Sequence, residues 1–156
     1  MPGNPGEAAW DLLNRPLLTA MALEMLNRPD EARDHLVQYL AALPPVHHEV
    51  PEAVAARHRL GTILSQLPGE EEAGRELLQL AAAQRRQAAT LVLNEIDYLL
   101  AMPGAERMLL FYIRDLMLQD PLLEGELLNS VHSPDRAGDD PARVFLDGLD
   151  GQPAGS

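Results

Sequence analysis

The chain has 156 residues, a formal net charge of −12 and no cysteine. Without cysteine it has neither disulfides nor cysteine-based zinc sites, and its acidity argues against nucleic acid or an anionic membrane as partner. Apolar residues make up 46% of the sequence but aromatic residues only 4%. Packing based on Leu and Ala, with few aromatic side chains, favours helices over strands.

Helix breakers divide the sequence into segments with helical periodicity. A short helix over 6–14 is expected to end at Asn-Arg-Pro. Further helices are expected over 15–26, 30–42, 51–66, 70–84, 87–101 and 104–118. A last helix over 121–131 is expected to cover the apolar end of the stack, as terminal elements of repeat arrays do.

The remaining segment, 133–156, is rich in Pro, Gly and Asp, and this composition predicts a disordered tail. It contains one apolar island, ARVFLDGL, at 142–149. The sequence therefore predicts a helical domain over 1–132, followed by an acidic tail.

The sequence predicts neither a signal peptide nor a membrane-spanning segment. The first residues, MPGNPGEAAWDLL, lack the basic region and apolar run of a signal peptide. No apolar stretch approaches the length of a membrane span. We therefore expect a soluble, cytoplasmic protein that has no membrane partner.

Three stretches share one pattern, in which a helix end is followed by a breaker-rich turn, acidic residues and an amphipathic helix. They are EMLNRPDEARDHL at 24–36, SQLPGEEEAGRELL at 65–78 and LAMPGAERMLLFY at 100–112. Aligned on Leu26, Leu67 and Met102, they recur after 41 and 35 residues (67−26 and 102−67). These spacings bracket the period of about 34 residues of a tetratricopeptide repeat.

The segment RLGTILSQLPGEEEAGRELLQLA, residues 59–81, resembles a tetratricopeptide repeat. Such a repeat has a Leu-Gly pair in its first helix, here Leu60 and Gly61. It has an Ala in its second helix, here Ala73, twelve residues after the glycine (73−61). Small residues at both positions let two antiparallel helices approach closely, so we expect Gly61 and Ala73 to face each other.

The other two repeats follow this pattern to different degrees. Ala20 and Ala32 hold the two small positions in the first repeat, and Pro44 closes it. In the third repeat Ile96 and Met108 stand there instead. The resemblance implies an all-α fold, with three helix-turn-helix hairpins stacked as a tetratricopeptide-like solenoid and a C-terminal capping helix.

In the resembling family, the first helices of the hairpins line a concave groove that takes a peptide or a helix. The positions that match on this chain are Leu17, Met21, Glu24, Met25, His58, Arg59, Thr62, Gln66, Asn94 and Asp97. Methionine side chains adapt to varied partners. The resemblance thus implies a protein-protein interaction module, an adaptor or small chaperone that binds a segment of another protein.

Two other functions stay open. A metal-dependent all-helical hydrolase would use clustered carboxylates, and Glu49 and Glu52 have a suitable spacing, although Pro51 lies between them. The adjacent His47 and His48 fall in a predicted loop. We find no Ser-His-Asp context, phosphate loop or cysteine nucleophile, and expect no catalytic residue, metal or cofactor. The other alternative is a structural subunit that self-associates through the groove, for example as a homodimer.

Overall fold

The computed structural model describes residues 16–150, and every regular element within them is helical. The helices are α1 (Pro16–Met25), α2 (Pro29–Ala42), α3 (Pro51–Ser65), α4 (Glu71–Leu100), α5 (Glu106–Gln119), α6 (Leu123–Val131) and α7 (Pro141–Asp150), with a short 3₁₀ helix (Pro45–His47) before α3. The predicted all-α class is confirmed. The helix predicted over 6–14 lies outside the described residues.

The turn between α1 and α2 follows directly from its sequence, Asn-Arg-Pro. Asn27 adopts a φ of 60°, a left-handed conformation that asparagine tolerates better than most residues. The amide of Arg28 donates to the carbonyl of Leu23, and the amide of Asn27 donates to Glu24, both at 2.9 Å. This pattern closes a helix C-terminus. Pro29 then starts α2 at a position that needs no amide hydrogen.

Residues 71–100 form one uninterrupted helix, α4, so the two separate helices predicted over 70–84 and 87–101 are wrong. The segment between them, AAAQRRQAAT, contains no Gly or Pro, and Ala, Gln and Arg are good helix formers. Because a turn needs residues that interrupt the helix, the chain continues through this stretch. The second and third predicted hairpins therefore share a helix.

The chain divides into two compact units, Met1–Ala82 and Ala83–Ser156, and the division falls within α4. We call them the first and the second unit. In the first unit α1 contacts both α2 and α3, and α2 contacts α3. The buried core of this unit consists of Ala20, Ala32, Leu36, Ala56, Leu60, Ile63 and Leu64.

Small residues allow close helix packing in the first unit, but one of the predicted pairs is wrong. Ala20 and Ala32 are both fully buried. Ala73, however, is exposed, and it is Gly74 that lies at the crossing of α3 and α4. A Cβ atom on Gly74 would lie 2.7 Å from the carbonyl oxygen of Gly61, closer than two such atoms can approach. The predicted register was thus off by one residue, because the family pattern does not distinguish neighbouring small residues.

The second unit has its own core, built from four helices. The end of α4 contributes Val92, Leu93 and Ile96, and the other core residues are Ala89, Leu109, Ile113, Leu116, Leu123, Leu127, Val131, Ala142 and Leu146. The helix predicted over 121–131 is present as α6, and Leu123, Leu127 and Val131 on it are buried. This helix is therefore part of the core of the second unit.

The structure corrects the expectation of a disordered tail over 141–150, which form α7. Ala142 and Leu146 are buried, and Phe145 and Leu149 pack partly against the same core. These four residues recur at helical spacing, so they share one apolar face. The polar composition of residues 133–156 as a whole predicts disorder, and it does not reveal the short amphipathic helix within them. Residues 151–156 lie outside the described part of the chain.

Candidate functional site

The predicted groove positions of the first two repeats lie on α1 and α3, two helices that contact each other in the first unit. Arg59 on α3 donates its Nε–H to Glu24 Oε2 on α1 at 2.5 Å. This ion pair joins the two helices and brings two of the predicted positions, Glu24 and Arg59, into contact. We call these positions, Leu17, Met21, Glu24, Met25, His58, Arg59 and Thr62, the α1–α3 face.

Arg59 and Glu24 remain accessible to a partner while they bind each other. The Arg59 side chain is 35% exposed and the Glu24 side chain 25%. Since Arg59 uses its Nε–H for Glu24, the terminal nitrogens of its guanidinium remain as donors for further acceptors. The pair therefore supplies directed hydrogen-bond donors next to the apolar part of the face.

The apolar part of the face lies on α1, whose sequence PLLTAMALEM contains one charged residue. Pro16 and Ala20 are buried, whereas Met21 is 43% and Met25 87% exposed. A helix that is apolar on all sides is normally covered on more than one side. The outward side of α1 is thus an exposed apolar surface of the kind that proteins use for contacts.

The polar positions on α3 are less available than the sequence suggested. Thr62 donates its hydroxyl hydrogen to the carbonyl of His58 at 3.0 Å, so its donor is used within the helix. Both side chains are half-buried, and His58 has an interaction of its own. Gln66 follows the last residue of α3 and is exposed. Of the predicted positions on α3, Arg59 is therefore the one whose side chain reaches another helix and stays partly exposed.

The third-repeat positions belong to a different unit. Asn94 and Asp97 lie on the part of α4 that forms the second unit, and both are exposed. Asp97 accepts a hydrogen bond from Arg136 Nη2 at 3.0 Å, so its carboxylate helps to hold the segment that precedes α7. We therefore leave both residues out of the α1–α3 face.

No family model, curated protein or solved structure matches this chain. The resemblance to the tetratricopeptide repeat thus stays a prediction from the sequence.

A pocket in the second unit was not predicted. It has a volume of about 170 Å³ and lies between α5, α6 and α7. Its lining is Ile113, Arg114, Met117, Glu124, Leu127, Leu128, Leu146 and Leu149. The pocket depends on Leu146 and Leu149 of α7, a segment for which the composition predicts a disordered tail. Its mostly apolar lining suits a small apolar group.

A buried ion pair in the second unit was also missed. Arg85 and Asp120 are 35 positions apart in the chain and bind each other through two hydrogen bonds. Arg85 lies where the sequence reading placed a helix break, and Asp120 directly follows α5. No local sequence signal connects them, since the pairing arises from the packing of α4 against the end of α5.

Among residues 16–150, no three His, Asp or Glu side chains are grouped closely enough to hold a metal ion. Catalytic acids and bases have pKa values near the working pH. Here burial raises the pKa of Tyr39 to about 12, and a hydrogen bond from Arg136 lowers the pKa of Asp140 below its ordinary value. Both shifts move the pKa values further from pH 7, as expected for residues with structural roles.

None of the helices within residues 16–150 combines the length and the apolarity needed to cross a bilayer. The longest, α4, has 30 residues and contains charged side chains such as Arg85, Arg86 and Glu95.

Proposed function

We propose that this protein is a protein-binding module whose α1–α3 face receives an apolar helix or peptide of another protein. The observation that supports it most is the exposure of Met21 and Met25 beside the Glu24–Arg59 pair. Apolar anchors give such contacts most of their affinity, and Arg is enriched among the residues that dominate binding energy. Flexible Met side chains adjust to the shape of the partner.

The chemistry of the face defines the partner segment that fits it. Its apolar side chains contact Met21 and Met25, while a carboxylate or the free carbonyl groups at a helix C-terminus accept hydrogen bonds from Arg59. Because the pair with Glu24 fixes the Arg59 side chain, little conformational entropy is lost when a partner binds.

We further propose that the first unit has a tetratricopeptide-like arrangement. Two facts support this: α1 contacts both its hairpin partner α2 and the first helix of the next hairpin, α3, and the second hairpin crosses closely at Gly61. The proposal covers the first unit only, since α4 continues into the second unit without a turn. A cytoplasmic location is part of the proposal and fits a chain without cysteine.

The test compares variants of the full-length chain in capturing proteins from a lysate of the native host, followed by titration with the purified captured partner. Met21→Asp and Met25→Asp should each weaken binding by about 1–3 kcal/mol, because a charge replaces an apolar contact. Met108→Asp is the matched control, as Met108 is an exposed methionine of the second unit. Its binding should equal that of the parent.

A second pair of variants tests the charges. Arg59→Glu alone places two carboxylates side by side, so it lowers stability as well as binding. The exchange Glu24→Arg with Arg59→Glu keeps the internal pair but reverses its direction, and it should weaken binding with little change in the melting temperature. If both methionine variants bind as the parent does while Met108→Asp fails, the binding site lies in the second unit and the proposal is lost.

A further inference from the structure

The pocket between α5, α6 and α7 has an apolar floor. Ile113, Leu127 and Leu146 line it and belong to the buried core of the second unit. The half-buried lining residues are apolar as well, namely Met117, Leu128 and Leu149. The volume of about 170 Å³ is close to the roughly 150 Å³ of an engineered apolar cavity that holds benzene. The pocket therefore has room for a branched aliphatic group.

Two charged side chains lie at the mouth of this pocket. Arg114 on α5 and Glu124 on α6 both line it, and both are exposed to solvent, which places them at its opening. Neither forms an ion pair or a hydrogen bond with another residue of 16–150. The guanidinium therefore keeps its N–H donors, and the carboxylate keeps its oxygens, for a ligand. Apolar pockets with a few such polar groups are typical of small-molecule sites.

The two opposite charges restrict the chemistry of the ligand. An apolar acid would bind Arg114 but would bring its carboxylate close to that of Glu124, and an apolar amine would bring its ammonium close to Arg114. The net charge of −12 further disfavours an anionic ligand. An α-amino acid carries a carboxylate and an ammonium on one carbon atom and has no net charge, so it offers a partner to both side chains.

We infer that this pocket binds a free apolar α-amino acid of about the size of leucine. The ligand carboxylate accepts charge-assisted hydrogen bonds from Arg114, and the ligand ammonium donates to Glu124. The ligand side chain then enters the apolar pocket, where its burial supplies the hydrophobic part of the affinity. The inference goes beyond the proposed function, because it concerns the second unit and a small molecule rather than another protein.

The first experiment titrates the full-length chain with L-leucine by calorimetry. The expected dissociation constant is on the order of 0.1 mM, in keeping with the binding energy available to so small a ligand. The melting temperature should rise with the leucine concentration. Three analogues each lack one feature of leucine: 4-methylpentanoate lacks the ammonium, 3-methylbutylamine lacks the carboxylate, and glycine lacks the apolar side chain. Each analogue should bind on the order of tenfold more weakly than leucine, or less tightly still.

Neutral variants test the two charged side chains one by one. Arg114→Gln and Glu124→Gln should each weaken leucine binding on the order of tenfold. Both side chains are exposed, so the melting curves without ligand should stay unchanged. Arg114→Gln should not weaken binding of 3-methylbutylamine, and Glu124→Gln should not weaken binding of 4-methylpentanoate, because those ligands lack the group concerned. Arg107→Gln and Glu126→Gln are the matched controls on the same two helices, outside the pocket lining, and should bind leucine as the parent does.

The inference is overturned if leucine neither binds nor raises the melting temperature at about 10 mM, roughly a hundred times the expected dissociation constant. Equal affinity for leucine and 4-methylpentanoate would also overturn it, and would make the pocket a site for apolar acids. So would leucine binding that Arg114→Gln and Glu124→Gln leave at the parent level. None of these results bears on the α1–α3 face, so the two proposals fail separately.

Discussion

Arg85 and Asp120 form a bidentate ion pair inside the second unit, with Nε–Oδ2 at 2.7 Å and Nη2–Oδ1 at 3.0 Å. Their side chains are 6% and 2% exposed. Burial removes both charges from water, so each is tolerated because the other neutralises and hydrogen-bonds it. The pair thereby fixes the end of α5 against the middle of α4.

Removing one member of this pair should lower the unfolding free energy far more than replacing both members. Asp120→Ala leaves an uncompensated buried guanidinium and is expected to cost about 3–5 kcal/mol of unfolding free energy. The double variant Arg85→Met with Asp120→Leu replaces the pair by apolar side chains and should cost much less than the sum of the single changes. Denaturant unfolding of the parent, of the single variants Arg85→Met and Asp120→Leu, and of the double variant gives the coupling energy. Additive single effects would show that the two charges act independently.

The glycine crossing of α3 and α4 should not accept alanine. A Cβ atom on Gly74 would lie 2.5 Å from the backbone nitrogen of Ser65, and one on Gly61 would lie 3.0 Å from the carbonyl oxygen of Gly74. Both neighbours are backbone atoms, so the helices have to separate. Gly74→Ala is expected to cost about 1–3 kcal/mol and Gly61→Ala less. Thermal and denaturant melting measure the difference.

Gly125 on α6 is the matched control for these changes, because a Cβ atom there meets nothing within 4 Å. Gly125→Ala should stabilise the protein by up to about 1 kcal/mol, the helix propensity difference. Helix propensity by itself would make Gly61→Ala stabilising as well, but the close approach of Gly74 reverses the expected sign. If alanine at Gly74 and alanine at Gly125 changed the stability equally, Gly74 would not lie at a close helix crossing.

Helix α7 should contribute to the stability of the second unit. Leu146 is buried in the core, so Leu146→Ala is expected to cost about 2–5 kcal/mol. Val144 on the same helix is exposed, and Val144→Ala should change the unfolding free energy by less than about 0.5 kcal/mol. Deletion of 133–156 should destabilise the protein, where a disordered tail would leave stability unchanged. Denaturant curves in which all three proteins match the parent would show that α7 is not docked.

Asp140 should make the start of α7 sensitive to acid. Its carboxylate accepts hydrogen bonds from Arg136 Nη1 at 2.7 Å and from the backbone amide of Arg143 at 3.2 Å. The Arg136 hydrogen bond lowers the pKa of Asp140 below its ordinary value of 3.8. The folded state therefore binds a proton at Asp140 less tightly than the unfolded state does. The stabilisation is fully present at pH values above the ordinary pKa of Asp140, and it is lost as the pH falls through the lowered pKa of the folded state.

Comparison with Asp140→Asn isolates this effect. The variant should be less stable than the parent at neutral pH, and the difference should narrow as the pH falls below 3.8. Asp139→Asn, a change at the exposed neighbouring position, should follow the parent at every pH. Urea unfolding at a series of pH values provides the measurement. If the stability difference between parent and Asp140→Asn stayed constant down to the lowest pH, the ionisation of Asp140 would not be its cause.

The sequence predicted the helices best where their ends depend on local chemistry. Prolines mark the starts of α2 and α3, at Pro29 and Pro51. Two predicted turns contain Gly69 and Gly104, which have φ values of 83° and 79°, conformations that other residues rarely adopt. On the candidate site, helical spacing and the family resemblance predicted Met21, Met25 and Arg59 one by one, and the structure shows both methionines exposed. It did not reveal that Arg59 binds Glu24.

By itself, the sequence thus determined the all-α class and the positions of most turns, because backbone dihedral preferences and missing amide hydrogens act within a few residues. Only the tertiary structure decided that Gly74 rather than Ala73 meets Gly61, that Arg85 pairs with Asp120, and that Leu146 is buried. Each of these depends on which segments distant in the chain lie next to each other. Burial and ion pairing are properties of that arrangement, and a local pattern of residue types does not specify it.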